Sequence, residues 1–201
     1  MSGAGEHHDL EVEQTEGFKV SASKTLDEYH QLDQGDESMR KWKESLGLPS
    51  GDTIDDGTPR KVVLLSLGLE IEGRPDIIID LTTPGALEAL KTQPFIIKEG
   101  ATFRMKVRFR VQKQILSGLK YVQSVKRGLI RSKMQEMIGS YAPNTTNKPE
   151  YEKKFEPETA PSGMLARAGY EAVSKFVDDD NETHLQFDWS FRIEKDWVSK
   201  K

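Results

Sequence analysis

Two long segments of the chain alternate between apolar and polar residues. The first spans residues 103–111 and the second residues 185–194, and in both a large apolar side chain occupies every second position. A period of two places the apolar set on one face of a β-strand, so each segment is predicted to be a strand with one buried and one wet face. The inward groups include Phe103, Phe109, Phe187, Trp189 and Phe191.

Shorter segments extend this pattern through the rest of the body. Further strands are predicted at Val62–Ile71, Ile77–Leu81, Leu119–Lys126, Met134–Tyr141 and Gly169–Val177. Turn signals lie at residues 73–75, 83–85, 98–100 and 178–181, and Pro84–Lys91 has room for one short helical turn. Many strands without a long amphipathic helix predict an all-β, immunoglobulin-like sandwich over residues 61–201. The pattern does not distinguish a filled core from a hollow one.

The N-terminal 60 residues follow a different pattern. Residues 1–24 are poor in large apolar groups and are predicted to be a disordered tail. Residues 25–47 form an arm with two short amphipathic helices, the second carrying Met39, Trp42 and Leu46 on one stripe and ending at Gly47. Residues 48–60 form a Gly/Pro/Asp linker. Such tethered helices are expected to order on a partner, although permanent packing on the body is an alternative.

Composition narrows the classes of protein that the chain can belong to. The 201 residues include no cysteine, which excludes disulfides and a cysteine nucleophile. The net charge of −4 divides into −8 over residues 1–60 and +4 over the remainder. An acidic arm argues against nucleic acid as its partner. With neither a signal peptide nor an apolar span in view, we expect a cytosolic protein without stable membrane insertion.

Residues typical of catalysis are scarce. Three of the four histidines, His7, His8 and His30, precede the body, which leaves His184 beside the acidic residues Asp178–Asp180. A hydrolase that uses this pair is one hypothesis, but the sequence indicates no nucleophile for it. The acidic run lacks the spacing of a calcium loop, and no metal or cofactor is predicted. We therefore expect a binding protein rather than an enzyme.

Several motifs resemble those of the Rho GDP-dissociation inhibitors. They are Phe95–Gly100 (FIIKEG), Ser117–Tyr121 (SGLKY), Gly139–Pro143 (GSYAP), Gly163–Arg167 (GMLAR), Phe176–Asp180 (FVDDD), Asp36–Lys43 (DESMRKWK) and Lys195–Trp197 (KDW). They run in consistent order from about Phe18 to Trp197. The extreme N-terminus does not match, the turn at 82–92 is longer than usual, and Phe103 and Met137 stand where tyrosine is familiar.

The resemblance implies a sandwich whose sheets part to accept a geranylgeranyl group, and an arm that clamps the switch regions of a Rho, Rac or Cdc42-type GTPase. Such a protein would bind the prenylated, GDP-bound GTPase as a monomer in a 1:1 complex, block GDP release and extract the GTPase from membranes. The main alternative is a general prenyl carrier that is indifferent to the GTPase body, for which the arm would be dispensable.

The resemblance also implies roles for particular residues. Those at lipid-pocket positions are Leu69, Phe95, Phe103, Ile115 and Trp189, with Met137 and Leu165 as additional lining. Those at GTPase-binding positions are Asp36, Met39, Trp42, Asp180 and Glu158. Glu158 belongs to an acidic surface, with Glu150, Glu152 and Glu156, that would face the basic tail of the GTPase.

Overall fold

The computed structural model describes residues 10–12, 37, 38, 41 and 53–197. Over residues 53–197 the chain forms ten strands and one short helix. The elements are β1 (Val62–Ile71), β2 (Ile77–Asp80), α1 (Ala86–Thr92), β3 (Phe95–Lys98), β4 (Thr102–Val111), β5 (Leu116–Arg127), β6 (Ile130–Tyr141), β7 (Tyr151–Lys154), β8 (Glu158–Thr159), β9 (Gly169–Val177) and β10 (Thr183–Glu194). The predicted β-sandwich is confirmed.

Two five-stranded sheets make up the sandwich. The first has the order β2-β1-β4-β7, with β8 also paired to β4, and the second has the order β3-β10-β9-β5-β6. All pairings are antiparallel except that of β3 with β10, which is parallel. The apolar sets of β4 and β10 face each other across the core, where Val107 and Phe109 are almost completely buried.

The helix α1 is longer than the single turn expected from the sequence. Gly85 precedes it with a left-handed φ of 82°, a conformation that glycine adopts without steric cost. Leu90 is the buried anchor of the helix and is 1% exposed. Lys91 at the other end pairs with Asp188 of β10. The helix therefore packs along the second sheet, close to the strand that carries Trp189.

Residues 53–60, which belong to the predicted linker, are fastened to the sandwich. Gln112 is completely buried, and its amide nitrogen donates to Asp56 at 2.8 Å and to the Arg60 carbonyl at 2.7 Å. Ile54 donates its backbone N–H to the carbonyl of Asn144. Hydrogen bonds from Thr58 and Gln112 hold the pKa of Asp56 far below its usual range. Residues 53–60 of the predicted linker therefore pack against the sandwich.

Part of the predicted tail also contacts the body. Leu10 is 2% exposed and packs with Val122 and Val177 on the outer face of the second sheet. The Lys133 ammonium donates to the carbonyl of Glu11. Further along, Glu37, Ser38 and Lys41 are helical, as predicted, and Glu37 pairs with Lys41 at 3.1 Å. Other residues of the arm, including Asp36, Met39 and Trp42, lie outside the described residues.

Candidate functional site

The turn between β9 and β10 holds three consecutive aspartates in different environments. Asp178 is buried and accepts hydrogen bonds from the Glu182 backbone N–H at 2.9 Å and from His184 at 2.8 Å. Asp179 pairs with Lys120 at 2.8 Å. Asp180 is exposed. The first two carboxylates brace the turn, whereas that of Asp180 faces solvent.

A glycine makes room for this brace. Gly118 has a left-handed φ of 58°, and a Cβ added to it would lie 1.8 Å from a carboxylate oxygen of Asp179. Contacts that short do not occur between non-bonded atoms, so any side chain here would displace Asp179. The glycine and the acidic turn therefore form one structural unit.

The same geometry argues against a hydrolase. The side chain of His184 is only 2% exposed, and it forms a pair with Asp178. Burial alone would raise the pKa of Asp178, but hydrogen bonds from His184 and from the Glu182 backbone outweigh it and lower the pKa. A histidine that a substrate cannot reach is a poor general base. The pair anchors the turn instead.

A cavity of about 210 Å³ lies between the two sheets at the end opposite the acidic turn. The first sheet contributes Leu69, Phe103 and Met105 to its wall. The second contributes Gln123, Val125, Ser132, Tyr170, Trp189, Phe191 and Ile193, and Ile97 of β3, on the same sheet, lies beside them. The segment from Glu158 to Pro161 lines one side. We call this space the inter-sheet cavity.

Aromatic contacts fix much of the cavity wall. The rings of Tyr170 and Phe191 stack with centroids 4.7 Å apart and an interplanar angle of 4°. Phe191 contacts Trp189, whose ring meets Phe95 edge to face at 5.9 Å. Such pairs contribute stabilisation beyond the area that they bury. These contacts make the aromatic part of the wall a continuous apolar surface.

A hydrogen-bonded chain of buried polar groups supports this wall from behind. The Trp189 indole N–H donates to the Ser174 hydroxyl at 2.8 Å, and Ser174 lies 2.7 Å from the Tyr121 hydroxyl. Tyr121 in turn donates to the Gln123 side-chain oxygen at 2.8 Å. Burial raises the pKa of Tyr121. Every member has a partner, so the orientation of Trp189 is determined.

One acidic side chain lies at the mouth of the cavity. Partial desolvation, reinforced by the nearby Glu136, raises the pKa of Glu158. Glu136 itself pairs with Lys153 at 3.0 Å. Of the other predicted acidic residues, Glu150 pairs with Arg108, whereas Glu152 and Glu156 are exposed. The acidic surface thus extends from the side of the first sheet to the cavity mouth.

The structure brings together part of the predicted lipid-pocket set. Leu69, Phe103 and Trp189 line the inter-sheet cavity. Phe95 lines a deeper void of about 10 Å³ that shares Leu69, Met105 and Trp189 with it. Glu158, which the resemblance assigned to the acidic surface for the GTPase tail, also lines this cavity.

Three predicted lining residues lie elsewhere. Ile115 is half-buried in the β4–β5 connection, at the end where the acidic turn lies. Met137 is 51% exposed because it pairs with Lys120 in the regular part of the β5–β6 hairpin and so shares that lysine's outward face. Leu165 is 84% exposed in the loop before β9.

Several residues that form or support the wall had no signal in the sequence. Ser174 and Gln123 are polar residues at inward positions of strands, and only the pairing of β5 with β9 brings them together. Tyr170 was inside a predicted strand, and alternation indicates its face but not its stacking on Phe191. These residues depend on sheet register, which a single sequence does not specify.

The fold and the site define a class of protein: a β-sandwich with an apolar cavity between its sheets and a braced acidic turn at the far end. Comparison with known proteins is more specific. The family described as RHO protein GDP dissociation inhibitor matches residues 4–196. The Rho GDP-dissociation inhibitor of Saccharomyces cerevisiae is 46% identical over 183 residues, which cover 89% of this chain and 90% of that protein.

Other relatives agree with that match. The Rho GDP-dissociation inhibitor of Schizosaccharomyces pombe is 42% identical over 179 residues, covering 89% of this chain and 86% of the relative. Rho GDP-dissociation inhibitor 1 of Homo sapiens is 41% identical over 189 residues, covering 93% and 90%. This chain belongs to the Rho GDP-dissociation inhibitor family.

Proposed function

We propose that this protein binds prenylated, GDP-bound Rho-type GTPases in a 1:1 complex, holds their geranylgeranyl group between its two sheets and thereby removes them from membranes. The observation that carries the proposal is the inter-sheet cavity with its aromatic wall. The complex would reside in the cytosol and visit membranes transiently. The part of the chain that the structure describes contains no helix long and apolar enough to cross a bilayer.

The size of the cavity implies that it opens when lipid enters. Its volume of about 210 Å³ is below the roughly 300 Å³ of the smallest common ligand pockets. Met105 borders both this cavity and the deeper void beside Phe95. Methionine is unbranched and flexible, so rotation of its side chain is a low-cost way to join the two spaces. A joined space would follow the length of an isoprenoid chain.

The lipid contact alone does not account for extraction. Each buried methylene contributes about 0.8 kcal/mol, but the same group is already buried in the bilayer before transfer. Moving the chain from bilayer to cavity is therefore nearly neutral. The net free energy of extraction must come from contacts with the GTPase body, for which Asp180 and the arm residues Asp36, Met39 and Trp42 are the candidates.

The geometry sets the reach that the GTPase tail needs. Along β9 the acidic turn and the cavity end are separated by the six-residue interval between the pairs Lys120↔Val177 and Lys126↔Glu171. At about 3.4 Å per residue this interval is about 20 Å. A GTPase docked on Asp180 would span it with an extended tail of six or more residues, counting roughly 3.3 Å for each. Basic residues in that tail would meet the acidic surface that ends at Glu158.

A titration with a geranylgeranylated, methyl-esterified cysteine peptide tests the lipid site. Val125→Trp would place an indole in the inter-sheet cavity and should weaken peptide binding at least about tenfold, the loss expected when roughly 1.4 kcal/mol of contact is removed. Ile78→Trp adds the same ring to an exposed position of β2 and serves as the control. Equal affinities for the two variants would refute the lipid site.

Removing the arm distinguishes the two proposed functions, a GTPase inhibitor and a general prenyl carrier. A chain that begins at residue 53 keeps the hydrogen bonds of Asp56 and Gln112 that fasten its N-terminus. It should bind the prenylated peptide as well as the full chain does, yet lose both extraction and inhibition of GDP release. Unimpaired extraction by the shortened chain would favour the carrier.

A further inference from the structure

Two large apolar side chains at the tip of the β5–β6 hairpin are largely exposed to solvent. Leu129 is 103% exposed and Ile130 is 71% exposed, in a turn that Gly128 closes with a left-handed φ of 58°. A second pair, Met164 and Leu165, lies in the loop before β9, and each of the two residues is 84% exposed. Large apolar side chains at such exposure, and in pairs, mark interaction sites more often than scattered single ones do.

Hydrogen bonds and ring contacts join the two pairs into one surface. The Arg127 guanidinium donates to the carbonyl of Leu165 and lies 5.6 Å from the centroid of the Tyr170 ring. The Tyr170 hydroxyl donates to the carbonyl of Ala166 at 2.9 Å. Tyr170 also lines the inter-sheet cavity. We call Leu129, Ile130, Met164 and Leu165 the apolar rim.

The rim lies close to the cavity. Val125 and Ser132, which are paired across the hairpin, both line the cavity, and the last pair before the turn is Arg127↔Ile130. Two residues separate these pairs, a distance of about 7 Å along the strand. The acidic turn is at the opposite end of the same strands, so a GTPase docked on Asp180 leaves the rim uncovered.

The charge around the rim is positive although the whole chain is acidic. Residues 126–133 (KRGLIRSK) contain four bases and no acid, and Arg167 lies in the second loop. Three acids face this group from neighbouring elements: Glu171 is opposite Lys126 across β5 and β9, Asp188 lines a surface pocket with Lys126 and Arg131, and Glu99 pairs with Arg167 at 2.6 Å. Asp188 also pairs with Lys91, and when that lysine is counted three positive charges remain in excess. Apolar side chains surrounded by bases are the pattern of segments that lie on anionic bilayers.

We propose that the apolar rim docks on the surface of an anionic membrane, with Leu129 and Ile130 among the headgroups and the surrounding bases on acidic phospholipids. This inference rests on the proposed function, because a protein that removes prenylated GTPases from membranes must first contact the membrane. The cavity mouth would be held at the headgroup level, where a prenyl chain leaves the bilayer. The lipid then crosses a short distance without passing through bulk water.

The test compares extraction rates with affinities measured in the absence of a membrane. Full-length protein is mixed with prenylated, GDP-loaded Rho-type GTPase on vesicles of phosphatidylcholine, with or without phosphatidylserine, and release is followed by loss of energy transfer. Binding of the geranylgeranylated peptide is measured separately in solution. The variants are Leu129→Ser with Ile130→Ser, the charge variant Lys126→Gln with Arg131→Gln, and Ile78→Ser as the control for an exposed apolar residue on another face.

The variant that carries both Leu129→Ser and Ile130→Ser, the rim variant, should extract the GTPase about tenfold more slowly from phosphatidylserine vesicles. A tenfold change in rate corresponds roughly to losing the burial of one apolar side chain in the membrane interface during the rate-limiting step. The affinity of the rim variant for the peptide in solution and the rates of Ile78→Ser should stay unchanged. The charge variant should slow extraction only when phosphatidylserine is present and the salt concentration is low.

Three outcomes would overturn parts of the account separately. If wild-type protein fails to bind the peptide, the proposed function fails. If it binds the peptide but the rim variant extracts at the wild-type rate, only the membrane-docking inference fails. If the rim variant loses affinity for the prenylated GTPase in detergent solution, the rim is a protein contact and the inference is wrong.

Discussion

Replacing Ser174 by alanine tests the support of the cavity wall. Ser174 is 0% exposed, accepts the Trp189 indole N–H at 2.8 Å and lies 2.7 Å from the Tyr121 hydroxyl. In Ser174→Ala the Trp189 indole N–H loses its buried acceptor, whereas the Tyr121 hydroxyl still donates to Gln123 at 2.8 Å. Leaving one buried donor unsatisfied costs about 1–3 kcal/mol, so we expect a loss of about 2 kcal/mol in the free energy of unfolding.

Urea denaturation of the full chain, followed by circular dichroism, measures this loss. With a slope of about 2 kcal/mol per molar urea, the midpoint should fall by about 1 M. The control is Ser190→Ala on β10, whose hydroxyl bonds the Lys91 carbonyl at 3.0 Å near the surface, and surface changes of this kind stay within about 0.5 kcal/mol. Equal stability of the two variants would refute the supporting role of Ser174.

The same variant has a predicted effect on binding. Because Ser174 orients Trp189 without lining the cavity, Ser174→Ala should weaken binding of the geranylgeranylated peptide while leaving the cavity volume unchanged. A double-mutant cycle with Tyr121→Phe should give a coupling energy of about 0.5–3 kcal/mol, since the two hydroxyls belong to one hydrogen-bonded chain. Additive losses would show that the chain is not cooperative.

Three further predictions concern the turn, the mouth and the depth of the cavity. Gly118→Ala should displace Asp179, lower stability by about 1 kcal/mol or more and weaken GTPase affinity without changing peptide affinity, as calorimetry would show; unchanged GTPase affinity would contradict this. Because the pKa of Glu158 is raised, its charged form destabilises the fold, so Glu158→Gln should raise the melting temperature at neutral pH and lose that advantage as pH falls through the raised pKa towards and below the usual 4.5. A melting-temperature difference that is independent of pH would contradict the assignment. Met105→Ile replaces a flexible side chain with a stiff one and should weaken binding of a C20 peptide more than that of a C15 peptide, whereas equal weakening would argue against Met105 as the gate.

Much of the fold follows from patterns that a single sequence carries. Alternation predicted β1, β4, β9 and β10 to within two residues of their observed bounds. It did not predict β3 (Phe95–Lys98), a short apolar run after a proline that forms a parallel edge. Nor did it predict β7 (Tyr151–Lys154), whose sequence YEKK has one apolar residue. Both strands form because the edge of an existing sheet offers them hydrogen bonds.

The site was harder to predict, because the residues that line it depend on which way each side chain faces and on the register in which the strands pair. Resemblance placed Leu69, Phe103 and Trp189 at lipid positions, and these residues do line one cavity. Met137 faces outward because the hairpin register pairs it with Lys120, and the resemblance that placed it at a lipid position carries no information on that register. Leu10, assigned to a tail poor in apolar residues, is buried because Val122 and Val177 form a small apolar patch on an outer face.

Extraction from liposomes tests the central claim most directly. Geranylgeranylated, GDP-loaded Rho-type GTPase and the same GTPase with its prenylated cysteine replaced by serine are each mixed with the full-length protein. The prenylated form should leave the vesicles in proportion to added protein, saturating at one GTPase per chain, and Val125→Trp should abolish this release. If the prenylated GTPase stayed on the vesicles at saturating protein, or if Val125→Trp released it as well as wild type does, the account would be contradicted.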